Sequence, residues 1–196
     1  MADIKLKKLF IKNMVCNLCN RAVESELKKL DLKPVSVVLG EAIIESDPDA
    51  VTLEKLNQNL QSFGFELIDD RKSQLVEQMK TEIIRYIHYD KEVDGHINFS
   101  EHLSRTLRLE YSYLSNLFSS VEGITVEKYI ILQRIEKVKE MLIYDELSLS
   151  EIAWQTGYSS VQHLSNQFKK EIGMSPTFYK RMQIHNRKAL NQVGKQ

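Results

Sequence analysis

The sequence has no apolar run near the roughly 20 residues needed to span a bilayer, and its opening MADIKLKKLF carries neither the apolar core nor the small-residue cleavage site of a secretory signal. Those absences argue against a helical membrane protein, and the cytoplasm is the expected compartment. Proline and glycine are scarce, three and seven in 196 residues, and 42% of residues are hydrophobic. That composition excludes a disordered chain and suits two compact domains. Cysteine is scarcer still. The only two are Cys16 and Cys19, and in a reducing compartment such a pair reads as a metal or redox site rather than a structural disulfide. Neither sign of charge is in excess, with 27 basic and 27 acidic residues. The balance hides a polarity: from Ser159 onward Lys169, Lys170, Lys180, Arg181, Arg187, Lys188 and Lys195 face one acid, Glu171. A cationic end suits a polyanion, a solvated basic tail being the plainer alternative.

What is present changes period along the chain. Up to Asp70 a strand-like IKLKKLFI gives way to a helical stretch at Val23, Leu27 and Leu30, then to PVSVVL and EAIIE around a Gly40-Glu41 turn. A second helix runs through Leu53, Leu56, Leu60 and Phe63, stops at Gly64, and leads to the short strand FELI. The order βαββαβ is that of a ferredoxin-like sandwich. Beyond Asp70, Leu75, Met79, Ile83, Ile84 and Ile87 repeat at helical spacing, and the remainder reads as helical throughout. The expected fold class is α+β: a ferredoxin-like domain over residues 1–70, an all-α domain over 73–182 and a basic tail over 183–196. The junction DDRKS, polar and free of Pro and Gly, predicts close coupling of the domains.

The helical part contains an internal repeat. At an offset of 50, residues 99–129 fall without a gap on 149–179, and Leu114 and Leu164, Ser115 and Ser165, Asn116 and Asn166, Phe118 and Phe168, Gly123 and Gly173, and Tyr129 and Tyr179 coincide. One supersecondary unit therefore occurs twice. Each copy lays out a short helix, a tight turn and a longer helix, as in a helix-turn-helix. Gly157 marks the turn in the second copy, where Leu107 stands in the first. A helix through Ile130, Ile131, Ile135, Val138, Met141 and Leu142 joins them. Leu114, Phe118, Tyr129, Leu164, Phe168 and Tyr179 are the expected core.

With LSLSEIAWQTGYSSVQHLSNQFKKEIGMSPTFYKR in the second copy, residues 73–182 resemble the DNA-binding region of the AraC family of bacterial transcription regulators. The resemblance implies that the second helix of each motif enters the major groove of double-stranded promoter DNA, with RNA polymerase as a further partner. Carried over by position, the base-facing residues are Ser112, Ser115 and Asn116 in the first copy and Val161, Gln162, His163 and Asn166 in the second. The first copy departs from the family: Asn116, Ser119 and Ser120 stand where basic residues are common. Arg105 and Arg108 are its phosphate contacts, and Lys169, Lys170, Lys180 and Arg181 supply most of the attraction from the second copy.

The stretch MVCNLC, between the first strand and first helix, resembles the MxCxxC loop of the heavy-metal-associated domains of copper chaperones and metal-pumping ATPases, over residues 5–68. Asn13 replaces the Gly that commonly precedes the Met. Phe65 stands where that family often has Lys or Tyr, and is either a shield for the metal or a core residue. Cys16 and Cys19 are the expected ligands. Cys19 lies near a helix N-terminus, which favours a thiolate. Two soft thiolates without a nearby His, Asp or Glu suit Cu(I), or another thiophilic ion, better than Zn(II) with its four ligands. Met14 is expected in the core. His88, His96, His102, His163 and His185 have no metal-ligand spacing.

The resulting expectation is a DNA-binding transcription regulator that responds to a soft metal ion such as Cu(I), with oligomeric state, target operon and sign of regulation left open. No nucleophile elbow, phosphate loop or paired acid-base motif is present, so no enzyme is expected. Two alternatives remain: a thiol redox-responsive regulator, and a metal carrier with a helical docking module.

Overall fold

The computed structural model describes residues 6–45, 47–89, 98–144, 146–182 and 190–194. It is a mixed α+β chain, mostly helical, that divides into two compact units, Met1–Thr81 and Glu82–Gln196.

In the first unit the elements run β1 (Lys7–Lys12), α1 (Asn17–Lys29), β2 (Pro34–Val38), β3 (Glu41–Ile44), α2 (Ala50–Gln61) and β4 (Glu66–Leu67). They form a small antiparallel sheet in the order β2-β3-β1-β4, with Leu9 opposite Ala42 and Lys7 opposite Ile44. Alternation along β1 and β3 sends Leu9, Ile11, Ala42 and Ile44 to one face, where they bury against Val23 and Leu27 of α1 and Leu56 and Leu60 of α2. Gly40 turns the β2–β3 hairpin at φ +81°, and a Cβ there would meet Thr81 Oγ1 at 2.9 Å.

Helix α3 (Arg71–His88) begins inside the stretch read as a junction. Asp70 caps it, accepting the Lys72 and Ser73 N–H groups at 3.0 Å each, and Gln74 Nε2 reaches back to the Ile68 carbonyl at 2.8 Å. Those bonds hold the Asp70 carboxyl below its ordinary range, with the Ser73 bonds as the largest cause. The boundary between the two units falls within α3, after Thr81, rather than at Asp70.

The second unit continues with α4 (Phe99–Leu107), α5 (Tyr111–Glu122), α6 (Val126–Tyr144), α7 (Leu149–Gln155), α8 (Val161–Ile172), α9 (Pro176–Arg181) and a 3-10 turn, Leu190–Gln192. The repeat is physical as well as sequential. Leu114, Phe118 and Tyr129 are fully buried, as are Leu164 and Phe168, with Tyr179 almost so. Phe118 meets Tyr129 and Phe168 meets Tyr179 at the same ring separation, 5.4 Å. Gly123 and Gly173 both end their helices in the left-handed conformation, at φ +71° and +84°. The turns differ. Helix α4 runs through Leu107, so the left-handed residue of the first copy is Arg108 (φ +55°), one place later than Gly157 (φ +73°) in the second.

Helix α6 buries more than the apolar positions read from its sequence: Gln133, Glu136 and Lys139 are buried too, Glu136 and Lys139 as an ion pair at 2.7 Å. Gln133 donates to the Tyr129 hydroxyl at 3.0 Å and to the Leu190 carbonyl at 3.2 Å. The described end of the expected basic tail is therefore docked, with Val193 buried and Gly194 against Ile124 and Tyr129. Arg187, Lys188 and Lys195, like His96 and His185, lie outside the described residues.

Candidate nucleic-acid interface and thiol site

Helix α8 starts where Ser160 Oγ accepts the His163 N–H at 3.1 Å, satisfying one of the amides a helix leaves open at its start. Leu164 and Phe168 turn inward, and Gln162, His163 and Asn166 are exposed, with Asn166 four residues from Gln162 and three from His163, one helical turn on. Gln162 Nε2 donates to Asn166 Oδ1 at 2.9 Å. That bond leaves the Gln162 carbonyl oxygen to accept and the Asn166 amide to donate. Adenine's major-groove edge, with its N7 acceptor and N6 donor, calls for this combination. His163 is held more firmly: Nδ1 lies 3.1 Å from Ser159 Oγ and the ring stands edge-on to Tyr158 at 5.2 Å. Val161 is half-buried and packs against the core of the second copy, so the structure gives only part of its side chain to the outer face.

At the far end of α8, Lys169 and Lys170 are exposed and form no ion pair among the described residues. The single acid of this region, Glu171, is turned away from them. Its carboxylate is nearly buried, paired with Lys128 Nζ at 2.5 Å and accepting from Gln167 at 2.9 Å. Arg181 is exposed and Lys180 half-exposed on α9. Burial pushes the Tyr158 hydroxyl up to about 12, and it has no hydrogen-bond partner among the described residues.

The equivalent side of α5 carries Ser112 and Asn116, exposed, and Ser115, half-buried. Its start is differently built. Glu110 makes no side-chain cap, and the Tyr111 hydroxyl donates to Glu127 at 2.5 Å. Burial is the largest cause raising the Tyr111 hydroxyl, and its bond is the largest cause lowering Glu127. Sequence reasoning missed this pair, and only the acid at Glu127 marks it. Arg105 and Arg108 are exposed near the end of α4.

The two thiols lie in the first unit, between β1 and α1. Cys16 is the residue before α1 and Cys19 sits in its first turn, donating its N–H to the Cys16 carbonyl at 3.0 Å. Their sulfurs are 3.2 Å apart, and both residues are half-buried. Met14 is in the core with 1% of its surface exposed, as expected, and so is Phe65, which settles its role as a core residue stacked 6.3 Å from Phe63. Asn13 takes φ +71°, a left-handed backbone that Gly or Asn tolerates best, which accounts for Asn in the place of Gly. The expected preference of Cys19 for the thiolate is overturned. Burial raises its pKa more than the amide bonds to Val15 and Cys16 lower it, so Cys19 holds its proton more firmly than a free thiol.

As a donor set the loop offers two sulfurs. Among the described residues no group of three His, Cys, Asp or Glu side chains could hold a metal ion, and Met14 is committed to the core. Two sulfurs fit an ion content with low coordination and not four-coordinate zinc. At 3.2 Å the thiols are closer than two ligands on opposite sides of one ion, so binding requires them to turn apart.

A family model described as "Helix-turn-helix domain" matches residues 103–182. The uncharacterised HTH-type transcriptional regulator YdiP of Escherichia coli K12 is 36% identical over 81 residues, 41% of this chain and 27% of that one. The probable transcriptional regulator LumQ of Photobacterium leiognathi is 27% identical over 146 residues, 72% of this chain and 56% of that one. The C-terminal domain of AraT, a response regulator from Geobacillus stearothermophilus, superposes with a TM-score of 0.50 at 28% identity, over 58% of this chain and 88% of that domain. Residues 103–182, within the second unit, contain a helix-turn-helix domain. The chain spans about a quarter of YdiP and just over half of LumQ. These relatives are named as transcription regulators, and the helical part of the chain shares the fold of the AraT C-terminal domain. Among the described residues no helix is long and apolar enough to cross a membrane.

Proposed function

We propose that the protein is a cytoplasmic bacterial transcription regulator that binds promoter DNA through both AraC-type copies and answers to a soft metal ion, Cu(I), held by Cys16 and Cys19. The observation that carries the DNA reading is α8: an exposed Gln162-His163-Asn166 edge and, at its end, Lys169 and Lys170, which form no ion pair among the described residues, while the adjacent acid Glu171 is tied up by Lys128. Base edges are read by such amides and phosphates are met by such lysines. RNA polymerase is the partner a promoter-bound regulator addresses.

The metal reading is supported by the order βαββαβ with sheet order β2-β3-β1-β4, which is that of a ferredoxin-like heavy-metal-associated domain, and by the paired sulfurs in its β1–α1 loop. Soft-metal binding displaces the proton that burial favours on Cys19, so affinity rises with pH. A second reading, a disulfide switch, is favoured by one observation, the 3.2 Å between sulfurs, which leaves little movement before a bond of about 2.05 Å can form.

The test is made on the reduced full chain. Competition against a Cu(I) chelator should give one ion per chain, lost in C16S/C19S, and selection from random duplexes should return a defined site whose binding weakens steeply with salt. Equal Cu(I) affinity in the double variant sinks the metal reading. Failure to enrich any duplex at low salt sinks the DNA reading.

A further inference from the structure

The loop before the cysteines is anchored to α3 by a bond spanning 64 residues of sequence. The Asn13 N–H donates to Glu77 Oε1 at 2.9 Å, the Asn13 side chain donates to the Gly64 carbonyl at 2.8 Å, and the next residue, Met14, is locked in the core. Glu77 is nearly buried, and its other oxygen lies 3.3 Å from Lys80 Nζ, which is buried too. Three residues therefore separate Cys16 from a buried carboxylate on another element. Little slack exists between them, since Asn13 is in the left-handed region and Met14 cannot swing out. Binding that turns the 3.2 Å thiol pair apart acts on this loop, and any shift of its backbone bears on the bond to Glu77.

Helix α3 continues unbroken from Arg71 to His88. Near its end His88 Nε2 lies 3.0 Å from Gln133 Oε1. Gln133, fully buried in α6, donates to Tyr129, whose ring packs on Phe118 of α5. One helix thus bonds the thiol loop near its beginning and the core of the first helix-turn-helix copy at its end.

We propose that Glu77 is the positioning residue that couples occupancy of the Cys16–Cys19 pair to DNA binding, by reporting the loop's position to α3 through the Asn13 N–H. The proposal rests on reading the cysteines as the metal-responsive site. Its substance is a coupling free energy: Cu(I) changes DNA affinity by some factor, DNA changes Cu(I) affinity by the same factor, and the Asn13–Glu77 bond is needed for that factor to differ from one.

The experiment compares two double variants of the full chain. Both E77Q/K80M and E77L/K80M remove the buried ion pair, so neither leaves a lone buried charge. Only E77Q/K80M keeps an oxygen to accept the Asn13 N–H. Cu(I) affinity is measured by chelator competition, and the DNA dissociation constant on a selected site with and without saturating Cu(I). The wild type should show a ratio in the ordinary allosteric range of about 5–150-fold. E77Q/K80M should retain it, and E77L/K80M should fall to about one while still binding Cu(I) and metal-free DNA as tightly as the wild type. A wild-type ratio preserved in E77L/K80M overturns the proposal. So does a wild type that binds Cu(I) tightly with a ratio of one, which leaves the metal reading standing. A wild type that binds no Cu(I) removes the metal reading and the proposal with it. Should E77L/K80M fail to fold, hydrogen exchange at the Asn13 amide of the wild-type chain decides. Protection that changes on adding Cu(I) supports the coupling, and unchanged protection overturns it.

Discussion

In the first helix-turn-helix copy, α5 starts at Glu110 without a side-chain cap and α4 ends on a left-handed arginine, Arg108. In the second, α8 starts at Ser160, which caps it, and the left-handed place belongs to Gly157. Yet behind those starts the same leucine, phenylalanine, tyrosine and glycine occupy the same places with the same ring separation. Duplication has kept what closes the core, and on the outer side Asn116 and Asn166 still match. The outer sides have diverged around that amide: Ser112, Ser119 and Ser120 on α5 stand where α8 carries Gln162, Lys169 and Lys170. A fold tolerates such divergence because exposed substitutions cost little, whereas buried rings do not.

The comparison can be attacked at its strongest point first. Phe118→Ala and Phe168→Ala should each destabilise the second unit by about 3–5 kcal/mol, since both rings are fully buried against a tyrosine. Urea unfolding of the two variants measures this, and a mild effect in one alone would show that the copies are not equivalent in packing. Next, Lys169→Ala with Lys170→Ala should weaken binding to every duplex and flatten the dependence on salt, by about 0.9 in the logarithmic slope for each phosphate no longer neutralised. Arg105→Ala with Arg108→Ala should do less, as judged by titrations at several salt concentrations.

Much of this difference is legible in the sequence. The offset of 50 exposes the repeat, and apolar spacing names its core correctly, because helix periodicity is a local signal. Gly64, Gly123 and Gly173 mark chain reversals for the same reason. What escapes is long-range and polar. Nothing near Glu77 says that its partner is the backbone of Asn13, and nothing near Gln133 says that it serves Tyr129 and Leu190. Polar residues on a helix read as solvated until their partners are known. The repeat alone puts the turn of the first copy at Leu107, whereas it lies at Arg108, because α4 extends further than α7 and carries the left-handed residue with it. At the thiols, spacing and position are legible, but the balance between burial and amide donors at Cys19 is not.

Smaller effects sharpen the contrast at the helix starts. Ser160→Ala should cost about 0.5–2 kcal/mol, as for other cap losses, while Glu110→Ala, with no cap to lose, should stay within about 0.5 kcal/mol. Thermal unfolding at matched pH checks both. The mildest effect concerns acid. Helix α7 has a capping box in which Ser148 and Glu151 bond each other's backbone, and the Ser148 bonds lower the Glu151 carboxyl. A lowered folded-state pKa contributes stability that is present above the unfolded value of about 4.3 and is lost as pH falls through the lower folded value. Asn98, the matching residue of the first copy, makes no side-chain cap. Protection of the α7 amides, relative to their intrinsic exchange rate at each pH, should therefore fall below about pH 4 through a loss that α4 does not share.

The central claim is that the second copy is the principal reader of DNA. The direct measurement is a set of titrations at one salt concentration, on a selected site and on its scrambled counterpart, with the wild type, Q162A/N166A and S115A/N116A, each shown by circular dichroism to be folded. Q162A/N166A should lose about 1–3 kcal/mol of the preference for the selected site per bidentate pairing removed, with S115A/N116A losing less. A larger loss of preference in S115A/N116A would contradict the claim and make the first copy, despite its scarce charge, the reader.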